Sequence, residues 1–350
     1  MGKTIVGVDI SASGIRAAEL DGATKARPVL VRYHAVALPA GAVNKGEVVE
    51  ARTVATALKT LWSQGKFGTK DIVLGVGNSR VLARDLTVPK LPIAQVRESL
   101  QFHVQDMLPY PAKDALLDFY PITEGVDASG PVLHGLLVAA LKSAVVGNVD
   151  AAKLAGLNPV NVDLVPFALT RVLLRGARGA GTAAMIDIGA STTTVVISSN
   201  GVPQFVRIIA NGGGDLTAAL SSRLGMPPET AEQTKRAIGL SNTQAPRDGQ
   251  DPSGVIYEVT GQLITSLRDT LTYYSTARPG DIISRVVLSG GGSALRGFGD
   301  ALSEYTRLQV TMGDPFESVT IGRQADKTIR QIGADSSLSV AIGLAMGNAA

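Results

Sequence analysis

Ala183-Ala184-Met185-Ile186-Asp187-Ile188-Gly189-Ala190-Ser191-Thr192-Thr193 is an apolar run that ends in an acid and then turns through small and hydroxylated residues. The chain opens on the same design, Thr4-Ile5-Val6-Gly7-Val8-Asp9-Ile10-Ser11-Ala12-Ser13, followed by Gly14 and a second apolar run carrying Arg16. Each stretch predicts a strand-turn-strand with an aspartate at the end of the first strand. Two such hairpins in one chain supply the parts of a phosphate clamp. Backbone N–H groups of tight turns point at an anion, while Asp9 and Asp187 are placed to hold Mg²⁺ directly or through water. Ser11, Ser13, Ser191, Thr192 and Thr193 add hydroxyl donors, and Ala12, Gly189 and Ala190 let the backbone come close. Either hairpin taken alone reads better as an ordinary turn in a mixed sheet.

A third element shifts that balance. Val286-Val287-Leu288-Ser289-Gly290-Gly291-Gly292-Ser293 is a strand running into a glycine turn and a helix start, where a flat base or an α-phosphate can lie against the main chain. Between the two lie Gly212-Gly213-Gly214-Asp215 at the start of one helix, then Glu232 and Lys235 on another opened by Pro227-Pro228. For Glu232 and Lys235 a helix-surface salt bridge and a ligand-binding role stay open together. The order and spacing of all these elements carry the reading, since a short glycine motif by itself is weak.

With 350 residues, 45% of them hydrophobic, the chain has room for one large bilobal domain or two ordinary ones. Lys+Arg number 33 against 30 Asp+Glu, and no basic stripe concentrates the small excess, which argues against a nucleic-acid partner. The absence of cysteine excludes disulfides and thiolate metal sites and fits a reducing compartment. His34, His103 and His134 lie in unlike elements without ligand spacing. No apolar core of a signal peptide precedes Asp9, and no apolar stretch approaches the roughly 20 residues that span a bilayer. The expectation is a cytoplasmic protein that meets a membrane only through partners.

The hydrophobic pattern predicts an α/β order. A strand over 28–38, a helix over 50–64 and a strand over 71–76 follow the first hairpin. Pro89 and Pro92 then open a segment in which Ile93, Val96, Leu100, Val104 and Met107 keep helical spacing until Pro109. A helix packed on its own domain is the plainer reading of that stripe, and a partner-binding face the other. A turn-rich stretch over 124–131, a strand over 135–142, a helix through Leu154 and a strand over 160–164 complete what reads as an insertion over 87–162. Trp62 and Phe102 read as core aromatics. Residues 241–254 read as a surface loop, a long helix covers 253–276, and 337–346 form a closing apolar helix.

Phosphate hairpin, second phosphate hairpin, glycine-rich helix start, Glu-x-x-Lys helix and strand-Gly-Gly-Gly turn, in that order, resemble the actin, DnaK-type chaperone and FtsA superfamily. Val88-Pro89, the helix from Gln101-Phe102 to Pro109-Tyr110, Ala155-Gly156-Leu157-Asn158-Pro159, Asp163 and Pro166-Phe167-Ala168-Leu169 are similar to the PilM family, cytoplasmic actin-like proteins of type IV pilus assembly. The resemblance implies an actin-like ATPase fold, two lobes of mixed sheet flanked by helices with a small inserted α/β subdomain. The first lobe would comprise 1–86 and 163–180 with a helix over 336–350 packing back, the insertion 87–162, and the second lobe 181–335 with a helical subdomain over 229–276. It further implies ATP and Mg²⁺ in the cleft. Asp9, Ser11, Ala12, Ser13 and Arg16 would serve one phosphate side, and Asp187, Gly189, Ala190, Ser191, Thr192 and Thr193 the other. Gly212, Gly213 and Gly214 form the helix start, Glu232 and Lys235 match the ribose pair, and Gly290, Gly291, Gly292 and Ser293 the adenosine turn.

One departure bears on activity. Related sequences often carry a glutamate directly before the residue matching Pro166, where it orients the attacking water, and this chain has Val165. A positioned base is worth about 10²–10⁴ in rate, so at most a slow ATPase is expected, with ATP acting mainly as a conformational ligand. Asp163, placed on the same strand face, stays open as a substitute. The family's partners are the N-terminal cytoplasmic peptide of PilN and, directly or indirectly, PilO and the motor ATPase, with a homodimer left open. The rival readings are a small-molecule kinase of the same fold and an FtsA-like filament protein tethered by its own C-terminal helix. The second is disfavoured because 337–350 contain no Lys or Arg.

Overall fold

The computed structural model describes residues 4–128, 130–240, 251–332 and 336–347. Strands β1 (Thr4–Ser11), β2 (Gly14–Asp21) and β3 (Val29–Val36) lead through a short ribbon, β4 (Val43–Asn44) and β5 (Glu47–Val48), to α1 (Ala51–Gly65) and β6 (Asp71–Val76). Next come β7 (Leu82–Pro89), α2 (Ile93–His103), β8 (Ala115–Asp127), β9 (Gly130–Leu141), α3 (Lys142–Leu154), β10 (Asn158–Leu164) and α4 (Val165–Leu173). The second half runs β11 (Thr182–Ile188), β12 (Thr193–Ser199), β13 (Val202–Ile209), α5 (Gly213–Leu224), α6 (Pro228–Ile238), α7 (Pro252–Ala277), β14 (Ile283–Ser289), α8 (Phe298–Thr306) and β15 (Gln309–Met312). It closes with β16 (Thr320–Ile321), α9 (Arg323–Ile332) and α10 (Ser339–Met346).

Two mixed sheets organise these elements. One has the order β10-β6-β1-β2-β3-β16 and the other β13-β12-β11-β14-β15. Their central strands come from the two acid-ended runs, and β11 is buried at every residue. That continuous burial explains why Ala183 to Ile186 form an unbroken apolar run instead of alternating, as in strands covered on both faces. Helices α4 and α10 lie between the sheets. Val172, Leu173, Ile342 and Leu344 share one core with Ile5 and Leu20 of the first sheet and Met185 and Val196 of the second. The approach is close enough that a Cβ at Gly343 would lie 2.0 Å from the Ala168 carbonyl oxygen, so α4 and α10 touch backbone to backbone there.

Strand pairing divides the chain differently from the 87–162 reading. The separate three-stranded sheet β7-β9-β8 begins at Leu82 and ends at Leu141, whereas β10 runs parallel to β6 and so belongs to the first sheet. α3 packs on α1 and goes with it. Likewise β16 pairs with β3 and α9 packs on it, which takes 320–332 out of the second lobe expected over 181–335. Within the stretch expected as turn-rich, residues 124–127 and 130–131 belong to the paired arms of a long hairpin in which Gly125 pairs with Val132 and Asp127 with Gly130.

The stripe on α2 follows the plainer reading: Val96, Leu100 and Val104 pack with Val88, Phe119, Leu133 and Leu137 inside the small subdomain. Phe102 corrects the core assignment, since it points off that stripe and is 72% exposed. Trp62 is partly buried, with its ring 4.9 Å from that of Phe67. Of the loop expected over 241–254, residues 241–250 lie outside the described residues, and α7 already begins at Pro252. All eight residues of α10 are buried, while 348–350 of the expected closing helix lie outside the described residues.

Candidate functional site between the two sheets

The β1–β2 and β11–β12 turns face a single cleft of about 400 Å³. In the first turn Ser11 Oγ donates to the Gly14 carbonyl at 3.0 Å. Asp9 stands opposite Arg16 in the β1–β2 ladder, and the guanidinium reaches back over the turn. Its Nη1 donates to Ser11 Oγ and its Nη2 to Ser13 Oγ, both at 3.2 Å, while Nε donates to Ser337 Oγ at 2.6 Å. Arg16 Nη1 lies 3.9 Å from Asp9 Oδ2. Burial raises the Asp9 carboxyl above its ordinary pKa, and the Arg16 charge only partly offsets that.

Asp187 is the next-to-last residue of β11, flanked in register by Thr194 of β12 and Ser289 of β14. Burial pushes its pKa up to about 6; the hydrogen bond from Ser289 and the Arg16 charge work against the rise, and the Asp9 charge adds to it. Two desolvated carboxylates from different sheets thus feel each other across the cleft, an arrangement that a bound cation relieves. Among the described residues no group of three or more His, Cys, Asp and Glu side chains could hold a metal. A pair of carboxylates matches Mg²⁺, which takes one or two protein oxygens and completes its shell with phosphate oxygens and water.

The second-lobe wall is built from glycine. The β11–β12 turn closes by Gly189 N–H donating to the Thr192 carbonyl at 2.9 Å. The first turn of α5 docks on it: Gly213 N–H donates to the Gly189 carbonyl at 2.9 Å and Gly214 N–H to the Ala190 carbonyl at 2.7 Å. These glycines therefore face the cleft with their N–H groups already used, which differs from an open helix N-terminus. Gly290 has φ 81°, and a Cβ there would lie 2.4 Å from the Ile188 carbonyl oxygen, so only glycine keeps the β14 turn against β11. A Cβ at Gly291 would meet nothing within 4 Å, so this residue presents bare backbone to the cleft.

On α6, Lys235 Nζ lies 2.6 Å from Glu232 Oε2 and donates to the Gly213 carbonyl at 2.9 Å and to Thr217 Oγ1 at 2.8 Å. Glu232 also takes Arg236 Nε at 2.8 Å. The pair is thus a salt bridge and, at the same time, part of the cleft lining.

Of the residues singled out in the sequence, Thr193, Gly212 and Ser293 stand behind the lining. Thr193 Oγ1 donates to the Asn211 carbonyl at 2.7 Å, Gly212 N–H to Asp215 Oδ2 at 2.7 Å, and Ser293 Oγ to the Gly290 carbonyl at 2.6 Å. The other seventeen of those twenty residues line the cleft, joined by Gly46, Gly75, Gly77, Thr194, Arg236, Ser337 and Val340. No local pattern announces Ser337, which reaches Arg16 from the far end of the chain. Val165 lines the cleft as the first residue of α4. Asp163 is a correction: it is ion-paired with Arg171 on α4 and takes no part in the lining, because the chain enters a helix at Val165 and the strand alternation linking the two positions ends.

The family model described as type IV pilus assembly protein PilM matches residues 7–349. The chain belongs to that family. A solved PilM–PilN type IV pilus biogenesis complex matches it with a TM-score of 0.84 and 28% identity, over 99% of this chain and 98% of that one. MreB5 of Spiroplasma citri bound to AMPPNP matches with a TM-score of 0.56 and 13% identity, over 98% of this chain and 95% of that one, which shows the actin-like fold. The cell division protein FtsA of Bacillus subtilis (strain 168) is 21% identical over 266 residues, 69% of this chain and 58% of FtsA, so the chain spans less than two thirds of that relative. Among the described residues no helix is long and apolar enough to cross a membrane.

Proposed function

We propose that this PilM-family protein binds ATP·Mg²⁺ in the cleft and serves as a cytoplasmic adaptor of the type IV pilus inner-membrane complex. The reading rests on one observation: two acid-ended turns from separate sheets, Asp9-Ile10-Ser11-Ala12-Ser13 and Asp187-Ile188-Gly189-Ala190-Ser191, face the same cleft. Asp9 and Asp187 would hold the metal, Arg16 and the turn hydroxyls the phosphates, Glu232 and Lys235 the ribose, and the Gly290–Gly292 backbone the base. Mg²⁺ would neutralise phosphate charge. Val165 brings an aliphatic side chain where a water-orienting base would be needed, so the nucleotide acts mainly as a conformational ligand and turnover is slow at most.

The N-terminal cytoplasmic peptide of PilN is the partner, held in a groove between the first lobe and the inserted subdomain, and PilO and the motor ATPase are reached through that assembly. The protein stays peripheral to the inner membrane through these partners. ATP alters peptide affinity to the extent that it binds the two lobe arrangements unequally. Thermal unfolding with ATP·Mg²⁺ tests the site. Ligand at a hundredfold excess over its Kd adds about 2.7 kcal/mol of stability, and Asp187→Ala loses most of that. Wild type unmoved by nucleotide overturns the reading. Equal PilN-peptide affinity with and without nucleotide removes the coupling.

A further inference from the structure

The cleft's own charges cancel. Asp9, Asp187 and Glu232 are matched by Arg16, Lys235 and Arg236, and each of these cations already lies against an acid: Arg16 against Asp9, Lys235 and Arg236 against Glu232. A nucleoside triphosphate with one Mg²⁺ still carries excess negative charge, which such a cleft leaves unanswered.

One further cation stands at the lip. The β4–β5 ribbon pairs Asn44 with Glu47 and closes through a two-residue turn, Lys45-Gly46, whose φ angles of 47° and 82° make it a type I′ turn. Gly46 lines the cleft, and Lys45 beside it is exposed. The ribbon is anchored from below: Arg80 Nε lies 3.0 Å from Glu47 Oε1, a Cβ on Gly46 would lie 3.1 Å from Asn78 Cβ, and Val43 is buried. On the same first-lobe wall, a Cβ at Gly77 would lie 2.8 Å from Val165 Cβ. The ribbon tip and the Val165 corner therefore adjoin on the first-lobe wall of the cleft.

The first position of a type I′ turn favours Asn, Asp or Gly, and a lysine held in the left-handed region is uncommon. Lys45 offsets that cost with no hydrogen bond or ion pair to any described residue. Its ammonium sits on a flexible four-carbon stem next to a residue that lines the cleft.

We infer that Lys45 is a phosphate-binding residue that closes over the terminal phosphate of a bound nucleoside triphosphate and gives the cleft its preference for triphosphate over diphosphate. This rests on the nucleotide reading above. Val165 stands where a water attacking the terminal phosphate would be oriented on that reading, so the ribbon tip that adjoins Val165 is placed beside the terminal phosphate.

Calorimetric titration of the full chain with ATP·Mg²⁺ and ADP·Mg²⁺ tests it, using wild type, Lys45→Ala and Lys45→Arg. Lys45→Ala is expected to weaken ATP about tenfold, the weight of one charge-assisted hydrogen bond, with ADP changed less than about twofold. Lys45→Arg retains the ATP affinity. Equal losses for both nucleotides, or none for either, overturn the role of Lys45 while leaving the nucleotide site standing. Wild type that takes up neither nucleotide overturns the site itself, and Lys45 with it, before any variant is made.

Discussion

Replacing Glu232 by glutamine removes a charge while keeping the side chain's shape, and its effect follows from three short contacts. The carboxylate lies 2.6 Å from Lys235 Nζ and 2.8 Å from Arg236 Nε, and it accepts from Thr217 Oγ1 at 2.6 Å. Burial alone would raise its pKa, but the bonds from Lys235, Thr217 and Arg236 together win and hold it at about 2 instead of 4.5. Each tenfold change in the ionisation constant is worth about 1.4 kcal/mol, which sets an upper bound near 3 kcal/mol. The side chain is 34% exposed, so solvent screening reduces the net to about 1 kcal/mol. Because the folded pKa lies below the unfolded one, this contribution is complete above about pH 4.5 and disappears as pH falls through about 2. Glu232→Gln is therefore expected to lose about 1 kcal/mol near neutral pH, about half of that near pH 3, and progressively less in high salt. Urea unfolding followed by circular dichroism at the two pH values measures it. A variant as stable as wild type near pH 7, or one whose deficit is the same at both pH values, refutes the ionic account of the α6 cluster.

Gly290→Ala adds a Cβ at φ 81°, 2.4 Å from the Ile188 carbonyl, and should cost about 1–3 kcal/mol in the same assay, with the nucleotide-induced rise in Tm lost alongside. Arg171→Ala leaves the half-buried Asp163 carboxylate without its ion pair and frees the Gly343 carbonyl, for an expected loss of about 2 kcal/mol that Asp163→Asn should partly restore. Val165→Glu puts a carboxylate at the first-lobe end of the cleft and is expected to raise ATP turnover by about 10²-fold or more; phosphate release no faster than wild type removes the assignment of that corner.

Much of the fold is legible because its two central strands each carry an unbroken apolar run that leads into an aspartate near the strand's end and then a turn of small residues. The sequence tells less about β8. Pro121 interrupts that strand, Asp118 and Glu124 lie along it, and the register shifts between Pro121 and Thr123, all of which an edge strand tolerates and a central one does not. The small subdomain consequently reads as larger and more irregular than it is. In the site, the acids and glycines are readable from their turns. Ser337, Val340 and Gly46 are not, since nothing local marks a residue delivered to the cleft by long-range packing. Asp163 misleads for a related reason: strand alternation places it with Val165 only if the strand continues, and Pro166 at the second position of α4 ends it.

The seating of α10 on β1 also constrains how the molecule comes into being. Translation releases β1 before, and α10 only after, every helix from α1 to α9, so Gly7, whose missing side chain admits the Ala341 backbone, waits until all of those elements are made for the surface it fits. Until then Ile5 and Leu20 have no α10 to cover them, and Arg16 has no Ser337 to hold it. A nascent chain stalled before residue 336 thus presents an uncovered apolar sheet face, the kind of surface that holdase chaperones retain, and the Arg16–Ser337 edge of the cleft closes only afterwards.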